Sequence, residues 1–345
     1  MIIKIYNHKG IGLTSLFKTD FENLSYTKIL NGIGSMEFTA RVDSDKITRE
    51  NIQSYNRIKL EENGKVVFSG YIAETKIGLE TVVIKCLGLL GMLQVRVTPF
   101  NYNINGTINN IVETLINKAN ENETTGIALG DLAGTGSLSR SLNGDSVYDA
   151  IVDAVKSVSN QWRFNHDTNT IDIKPLIGQN LITTIVLRYD TRINQASNLS
   201  SFSVTDSADT VTTVSVGRIN STTNSIQDDD LIEKYGRVEK NTAYRTIATG
   251  DLVTQLTSEL SGSELLPELV LLPSVPDIFD VGDILGIKIY NKLTDIDTGY
   301  QVLEKEVVYS GDEKVIKIKI NKTQTDILDI IKQHTKEIKA LSNHL

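Results

Sequence analysis

The feature that most restricts the fold is a series of strand signals that occurs twice. Residues 57–88 carry the strand Ile58-Lys59-Leu60, then Gly70-Tyr71-Ile72, then the apolar run Val82-Val83-Ile84-Lys85-Cys86. Residues 282–320 carry Gly282-Asp283-Ile284-Leu285-Gly286-Ile287, then Gly299-Tyr300-Gln301-Val302, then Val315-Ile316-Lys317-Ile318-Lys319-Ile320. Short apolar or alternating runs bounded by Gly and Asn read as strands. A series that recurs within one chain points to two related β-barrels, with coincidence as the competing reading.

The rest of the chain fits around these two stretches. Residues 1–97 read as the first β-barrel domain, with alternation in Ile3-Lys4-Ile5-Tyr6 and in 36–42. Asn63-Gly64 turns the hairpin 57–72, because both residues tolerate the positive φ of a tight turn. Residues 98–181 form a small α+β domain. Ile108, Ile111, Val112, Leu115, Ile116 and Ala119 make one helical stripe. A Gly-rich linker spans Gly126–Gly136. Ser146-Val147-Tyr148-Asp149 opens a second helix in the manner of a capping box, and 162–175 forms a hairpin around the turn 166–169. Residues 182–321 form the second β-barrel domain, interrupted by helices at about 228–262. The fold class is β-rich α+β.

Residues 322–345 form a different element. Ile327, Ile331, His334, Ile338, Leu341 and Leu345 are spaced four and three apart, a heptad seam. Lys332, Lys336 and Lys339 lie off it. The bland alternative is a helix packed on its own domain, but that would show a wider apolar face. Isoleucine at both seam positions leans away from dimers towards trimers or higher, so these six residues are assigned to trimerisation, with His334 as a polar register pin, the commoner role, or a pH-sensitive element.

Composition excludes several function classes. The 345 residues carry 43 acidic and 35 basic side chains, a net charge of −8, against the basic balance of phosphate-gripping proteins. With Cys86 alone, no disulfide forms within the chain and no Cys-based zinc site exists. No apolar run reaches the ~20 residues of a membrane span, and no signal peptide is evident. His8, His166, His334 and His344 form no metal-ligand spacing. The glycine pairs lack the third glycine of a dinucleotide fingerprint, and there is no P-loop or nucleophile elbow. The acidic clusters 43–45, 228–230 and 295–297 read as solvated loops, the last at a hairpin tip. Cys86 reads as a buried strand residue and Trp162 as core. No cofactor is expected, and no stretch is left long enough for a separate catalytic domain.

In order along the chain, Gly32-Ile33-Gly34-Ser35-Met36-Glu37-Phe38-Thr39, Arg57–Leu60 leading to Phe68-Ser69-Gly70-Tyr71-Ile72, Ser146–Ile151 to Trp162-Arg163-Phe164, Ile232-Glu233-Lys234-Tyr235-Gly236-Arg237 and Val281-Gly282-Asp283-Ile284 resemble segments of the tail hub proteins of tailed phages and phage-derived injection machines. The resemblance covers residues 1–320. It implies two similar β-barrels per chain and a homotrimer, so that six barrels match a hexameric tail. It further implies a tail-tip baseplate hub in the virion, assembled in the host bacterial cytoplasm. Its partners would be the distal tail protein or tail tube ring, with a tape measure protein and a receptor-binding fibre or spike as further candidates. DNA would pass without specific binding, and no stable membrane insertion is implied. Long members of the family continue into a lytic or host-binding domain that this chain lacks, so the expectation is a structural protein and not an enzyme. The alternatives are a tail-associated cell-wall hydrolase or peptidase and a host-glycan-binding adhesin.

Overall fold

The structure is a computed structural model that describes residues 1–192, 197–206, 213–218, 221–235, 237–241, 265–311 and 313–322. The chain divides into two units, Phe202–Glu268 and the remainder. The seam residues 327–345 and the expected helix at about 249–260 lie outside the described residues.

The larger unit begins with seven strands: β1 (Ile2–Tyr6), β2 (Gly12–Phe17), β3 (Phe21–Ile29), β4 (Ser35–Arg41), β5 (Arg57–Glu62), β6 (Lys65–Ile77) and β7 (Thr81–Gly88). Alternation puts Ile3, Ile5, Met36, Phe38, Ile58 and Leu60 inside. Asn63 (φ 51°) and Gly64 (φ 80°) turn β5 into β6 as their types allow. Cys86 is buried, and burial pushes its thiol pKa up.

A compact α+β layer follows, made of β8 (Tyr102–Thr107), α1 (Ile108–Asn120), β9 (Ala128–Leu132), β10 (Ser137–Leu142), α2 (Val147–Ser157), β11 (Gln161–Asn165) and β12 (Thr170–Lys174). Ser146 caps α2. Its Oγ accepts from the Asp149 N–H at 3.0 Å and donates to the Asp149 carboxylate at 2.6 Å. The apolar stripes of both helices enter one core with Trp162, whose ring meets Tyr148 edge-on at 5.8 Å. The segment expected as a linker, Gly126–Gly136, contains β9, which pairs in parallel with β12. Its glycines hid the strand from pattern reading. Gly130 is needed because a Cβ there would lie 2.2 Å from the Asp172 carboxylate.

Among the described residues, nine further strands and one helix complete the order: β13 (Asn180–Asp190), β14 (Leu199–Asp206), β15 (Thr213–Arg218), β16 (Ser221–Gln227), α3 (Asp229–Tyr235), β17 (Glu239–Asn241), β18 (Leu265–Leu271), β19 (Ile284–Tyr290), β20 (Asp295–Ser310) and β21 (Glu313–Lys322). The smaller unit holds the sheet β16-β15-β17 and α3, whose first turn is capped by the Asp228 carboxylate. Polar strands such as β8 and β10 escape the period-two signal because little of each is buried.

The large sheet runs β14-β18-β21-β20-β3-β4-β7-β6-β5-β1-β2, with β13 and β19 joined to it through β20. In chain order, β1, β3, β4, β5, β6 and β7 stand as β1-β5-β6-β7-β4-β3. The strands β13, β14, β18, β19, β20 and β21 stand as β13-β19-β20-β21-β18-β14. The two permutations are identical. Among the described residues the halves differ in that β1 is antiparallel to β5 whereas β13 is parallel to β19, and in that no described strand corresponds to β2. The sequence echo is thus a repeat of strand order within one continuous sheet.

Candidate assembly site

The repeat extends to single residues. In the β6·β7 ladder Ile72 faces Cys86 and Glu74 faces Lys85, leaving Ala73 as an extra residue. In the β20·β21 ladder Val302 faces Ile320 and Glu304 faces Lys319, leaving Leu303 as the extra residue. The flanking pairs are ionic in both halves, Glu74–Lys85 at 3.5 Å and Glu304–Lys319 at 3.0 Å. Ile72 donates its N–H to the Asn56 carbonyl at 2.9 Å and accepts from the Tyr55 N–H at 2.8 Å. Val302 makes the same two bonds with Asp283 (2.9 Å) and Gly282 (2.7 Å). Tyr55 therefore corresponds to Gly282, and the Gly70-Tyr71 and Gly299-Tyr300 pairs that align by eye are one residue out of structural register.

The correspondence explains an otherwise odd backbone. Gly282 has φ 93° and Tyr55 φ 68°. The first half thus holds a tyrosine in the left-handed region, which costs a non-glycine residue about 1–2 kcal/mol. The ring is stacked on Tyr71, 5.7 Å between centroids and 9° from parallel. Tyr55→Gly is expected to be more stable than Tyr55→Ala by about 1 kcal/mol, the reverse of the order at an ordinary strand position. Urea unfolding of the two variants checks this. Equal stabilities would remove the strain argument.

The two halves of the sheet meet where β3 lies along β20, from Glu304 opposite Ile29 to Val308 opposite Ser25. Leu30 donates its N–H to the carbonyl of the extra residue Leu303 at 2.8 Å. Charged side chains tie the same seam. Lys28 pairs with Asp280 at 2.8 Å, and Lys314 reaches Glu62 at 3.0 Å and Asp277 at 2.7 Å. Lys305, whose side chain is only 6% exposed, pairs with Asp277 and donates to the Phe279 carbonyl at 2.6 Å. Burial alone would raise the Asp277 pKa. Lys305 and Lys314 outweigh it and hold the carboxyl below its usual range.

The α+β layer is fastened to both halves. Gln161 and Gln301 exchange side-chain amide bonds at 2.9 Å while buried, and Gln301 also donates to the Ile177 and Gly282 carbonyls at 3.0 Å. His166, placed in the expected turn, is buried there. It stacks on Phe68 at 5.1 Å, meets Phe164 edge-on at 5.0 Å, and its Nδ1 accepts from the Ser69 N–H at 3.0 Å. Burial, with Lys28 nearby, lowers its pKa to about 3, so the ring is neutral with its proton on Nε2.

Among the described residues the expected acidic clusters are engaged in local pairs and caps. Asp43 pairs with Arg41 at 2.8 Å, Asp228 caps α3, and Asp297 pairs with Lys288 at 3.1 Å. Among the described residues no group of three His, Cys, Asp or Glu side chains could hold a metal ion. An open groove of about 400 Å³ beside Tyr55 is lined by His8, Arg57, Met92, Arg96 and Glu123. The Arg57 guanidinium donates to the Thr124 carbonyl at 2.7 Å and Arg96 reaches the Glu123 carboxylate at 3.4 Å. No helix among the described residues is long and apolar enough to cross a membrane.

No family model matches the sequence, and no curated protein matches it closely. Solved structures do. A 43 kDa tail protein of prophage MuSo2 from Shewanella oneidensis superposes with a TM-score of 0.68 at 10% identity, covering 93% of this chain and 98% of that one. A tail protein from Neisseria meningitidis MC58 gives 0.66 at 13% identity, covering 93% and 96%. The prophage tail protein gp18 from Listeria monocytogenes EGD-e gives 0.61 at 14% identity, covering 98% and 100%.

Proposed function

We infer that this chain, which has the fold of phage and prophage tail proteins, serves in a phage-type tail, as the resemblance read from its sequence also implies. From that premise we propose that it is a structural, non-enzymatic component of a phage-type tail tip, a trimeric baseplate hub. The observation that carries this reading is the strand permutation that occurs twice in one sheet. Each half is read as one of the two barrels, bounded as 1–97 and 182–321 with the α+β domain 98–181 between them. Three chains then present six similar modules. A ring of that kind matches a sixfold tail tube or distal tail ring while its own symmetry stays threefold. The heptad seam Ile327, Ile331, His334, Ile338, Leu341 and Leu345 would join the three chains in a coiled coil that begins after Lys322, the expected first residue, because that residue ends β21. The tip would hold a tape measure protein and a fibre or spike, and a net charge of −8 suits a channel wall that does not trap DNA in passage.

Light scattering at micromolar concentration, with a low-resolution image of the particles, tests the reading. Three-chain rings with six modules are expected. A monomer at every concentration would overturn it. Removing residues 323–345 is expected to weaken the trimer while the far-ultraviolet circular dichroism of the sheet persists, because the large sheet is built from residues before that segment.

A further inference from the structure

The two halves differ where Tyr55 stands for Gly282. In the second half a side chain is excluded at this place, since a Cβ on Gly282 would lie 2.9 Å from Ile177. In the first half a tyrosine is kept there against a left-handed backbone, and the open groove of about 400 Å³ lies beside it. One face of its ring is taken by Tyr71, yet 47% of the residue is exposed. Strain of this kind clusters at ligand sites. Met92 and Val95 continue the apolar wall. The polar wall is two guanidiniums that converge on one loop, Arg57 at the Thr124 carbonyl and Arg96 at Glu123. Gly126 leaves room for the first, because a Cβ there would lie 2.6 Å from Arg57 Nη1. A guanidinium has five N–H donors, and in the described bonds each of these uses Nη2 alone. Both Arg96 bonds are long, 3.4 Å, and its Nε is buried with no hydrogen-bond partner among the described residues. Burial lowers the Arg57 pKa, and the exposed Glu123 carboxylate offsets this only in part.

We propose that this groove binds an acidic, extended segment of a partner protein, with one carboxylate held by Arg57 and Arg96 and an adjoining apolar residue seated on Tyr55 and Met92. Charge selects the ligand. Two guanidiniums face one carboxylate, Glu123, which leaves one positive charge in excess. One further carboxylate cancels it, and the planar fork of arginine matches the two oxygens of that group. A nucleic-acid strand calls for a row of cations along its phosphates, whereas the described lining holds these two arginines and no lysine. Glu123 already shows the chemistry. It lies against Arg96 at 3.4 Å, too far for a good charge-assisted bond, so a better-placed carboxylate can displace it. The groove is complete within one chain. Because glycine replaces Tyr55 in the second half, each chain offers this site in its first half alone.

An array of end-blocked pentapeptides tests this on the full chain, each with a central glutamate, varied neighbours and a glutamine twin. Where the neighbours are apolar, glutamate is expected to bind at least ~10-fold tighter than glutamine, at one peptide per chain. Arg96→Gln should erase that preference, and unchanged urea unfolding in this variant separates loss of the clamp from loss of the fold. Glu123→Gln removes the competing carboxylate and should tighten binding by at least ~3-fold, which a merely structural role would not produce. Tyr55→Gly suits the left-handed backbone, so the fold should persist, and it should weaken the apolar-flanked peptides by at least ~5-fold. No glutamate preference anywhere in the array, or one untouched by Arg96→Gln, would overturn the proposal. Displacement of the peptides by inorganic phosphate or a single-stranded oligonucleotide at comparable concentration would overturn it too, and would assign the groove to phosphate groups instead. None of these results alters the number of chains in the particle, on which the hub reading is tested.

Discussion

Asp277→Ala is expected to destabilise the protein by about 3–5 kcal/mol, among the largest single-residue effects in the molecule. Lys305 is almost wholly buried, and Asp277 is its carboxylate partner. Removing that carboxylate strands an ammonium where water cannot solvate it, while Lys314 keeps Glu62. Adding Lys305→Met to the alanine variant removes the stranded charge, so most of the loss should return. Urea unfolding of the single and double variants makes the comparison. A loss below ~1 kcal/mol, or no recovery in the double variant, would mean that the pair is solvated and does little at the junction. The acid limb follows from the same charges. The folded pKa of Asp277 is lowered, so its contribution is full above about pH 4, the unfolded value, and is lost as pH falls through the folded one.

His166 sets a second, earlier acid response. Its pKa falls from 6.5 to about 3 on folding because the ring is buried between Phe68 and Phe164 with Lys28 nearby. Between those values the unfolded chain binds a proton that the folded chain does not. Stability therefore drops as pH falls through that window, by about 1.4 kcal/mol per pH unit once below 6.5. His166→Gln keeps an acceptor for the Ser69 N–H and removes the titration. Stability measured at pH 7, 6 and 5 should fall less steeply in the variant than in the wild type. Parallel profiles would show that the ring titrates normally and is not sealed in the core.

Both effects lie where sequence reading was weakest. Strands β1, β4, β5, β7, β19 and β21 were legible because alternating or apolar runs, bounded by turn residues, declare which face is buried. The stripes of α1 and α2, the Ser146 cap and the Asn63-Gly64 turn were legible for the same local reason. His166 read as an ordinary turn residue, since nothing adjacent in sequence says that Phe68, about a hundred residues earlier, covers it. Nothing adjacent in sequence sets Lys305 or Asp277 apart from surface charges, because their pairing joins residues 28 positions apart. Tyr55 carried no signal, as its meaning comes only from standing where the other half has Gly282.

What the sequence by itself determined is local: strand and helix periodicity, turn chemistry, the lack of any cofactor motif, and the presence of a repeated series. Those properties depend on residues within a few positions of one another. Only the tertiary structure decided that the repeat is one strand permutation used twice, and that its true register is one residue from the visible Gly-Tyr alignment. It also decided that β3 of the first half completes β20 of the second. Pairing partners in a sheet are chosen by hydrogen bonds between distant segments, and a strand's edge carries no mark in its own side chains of which strand will fill it.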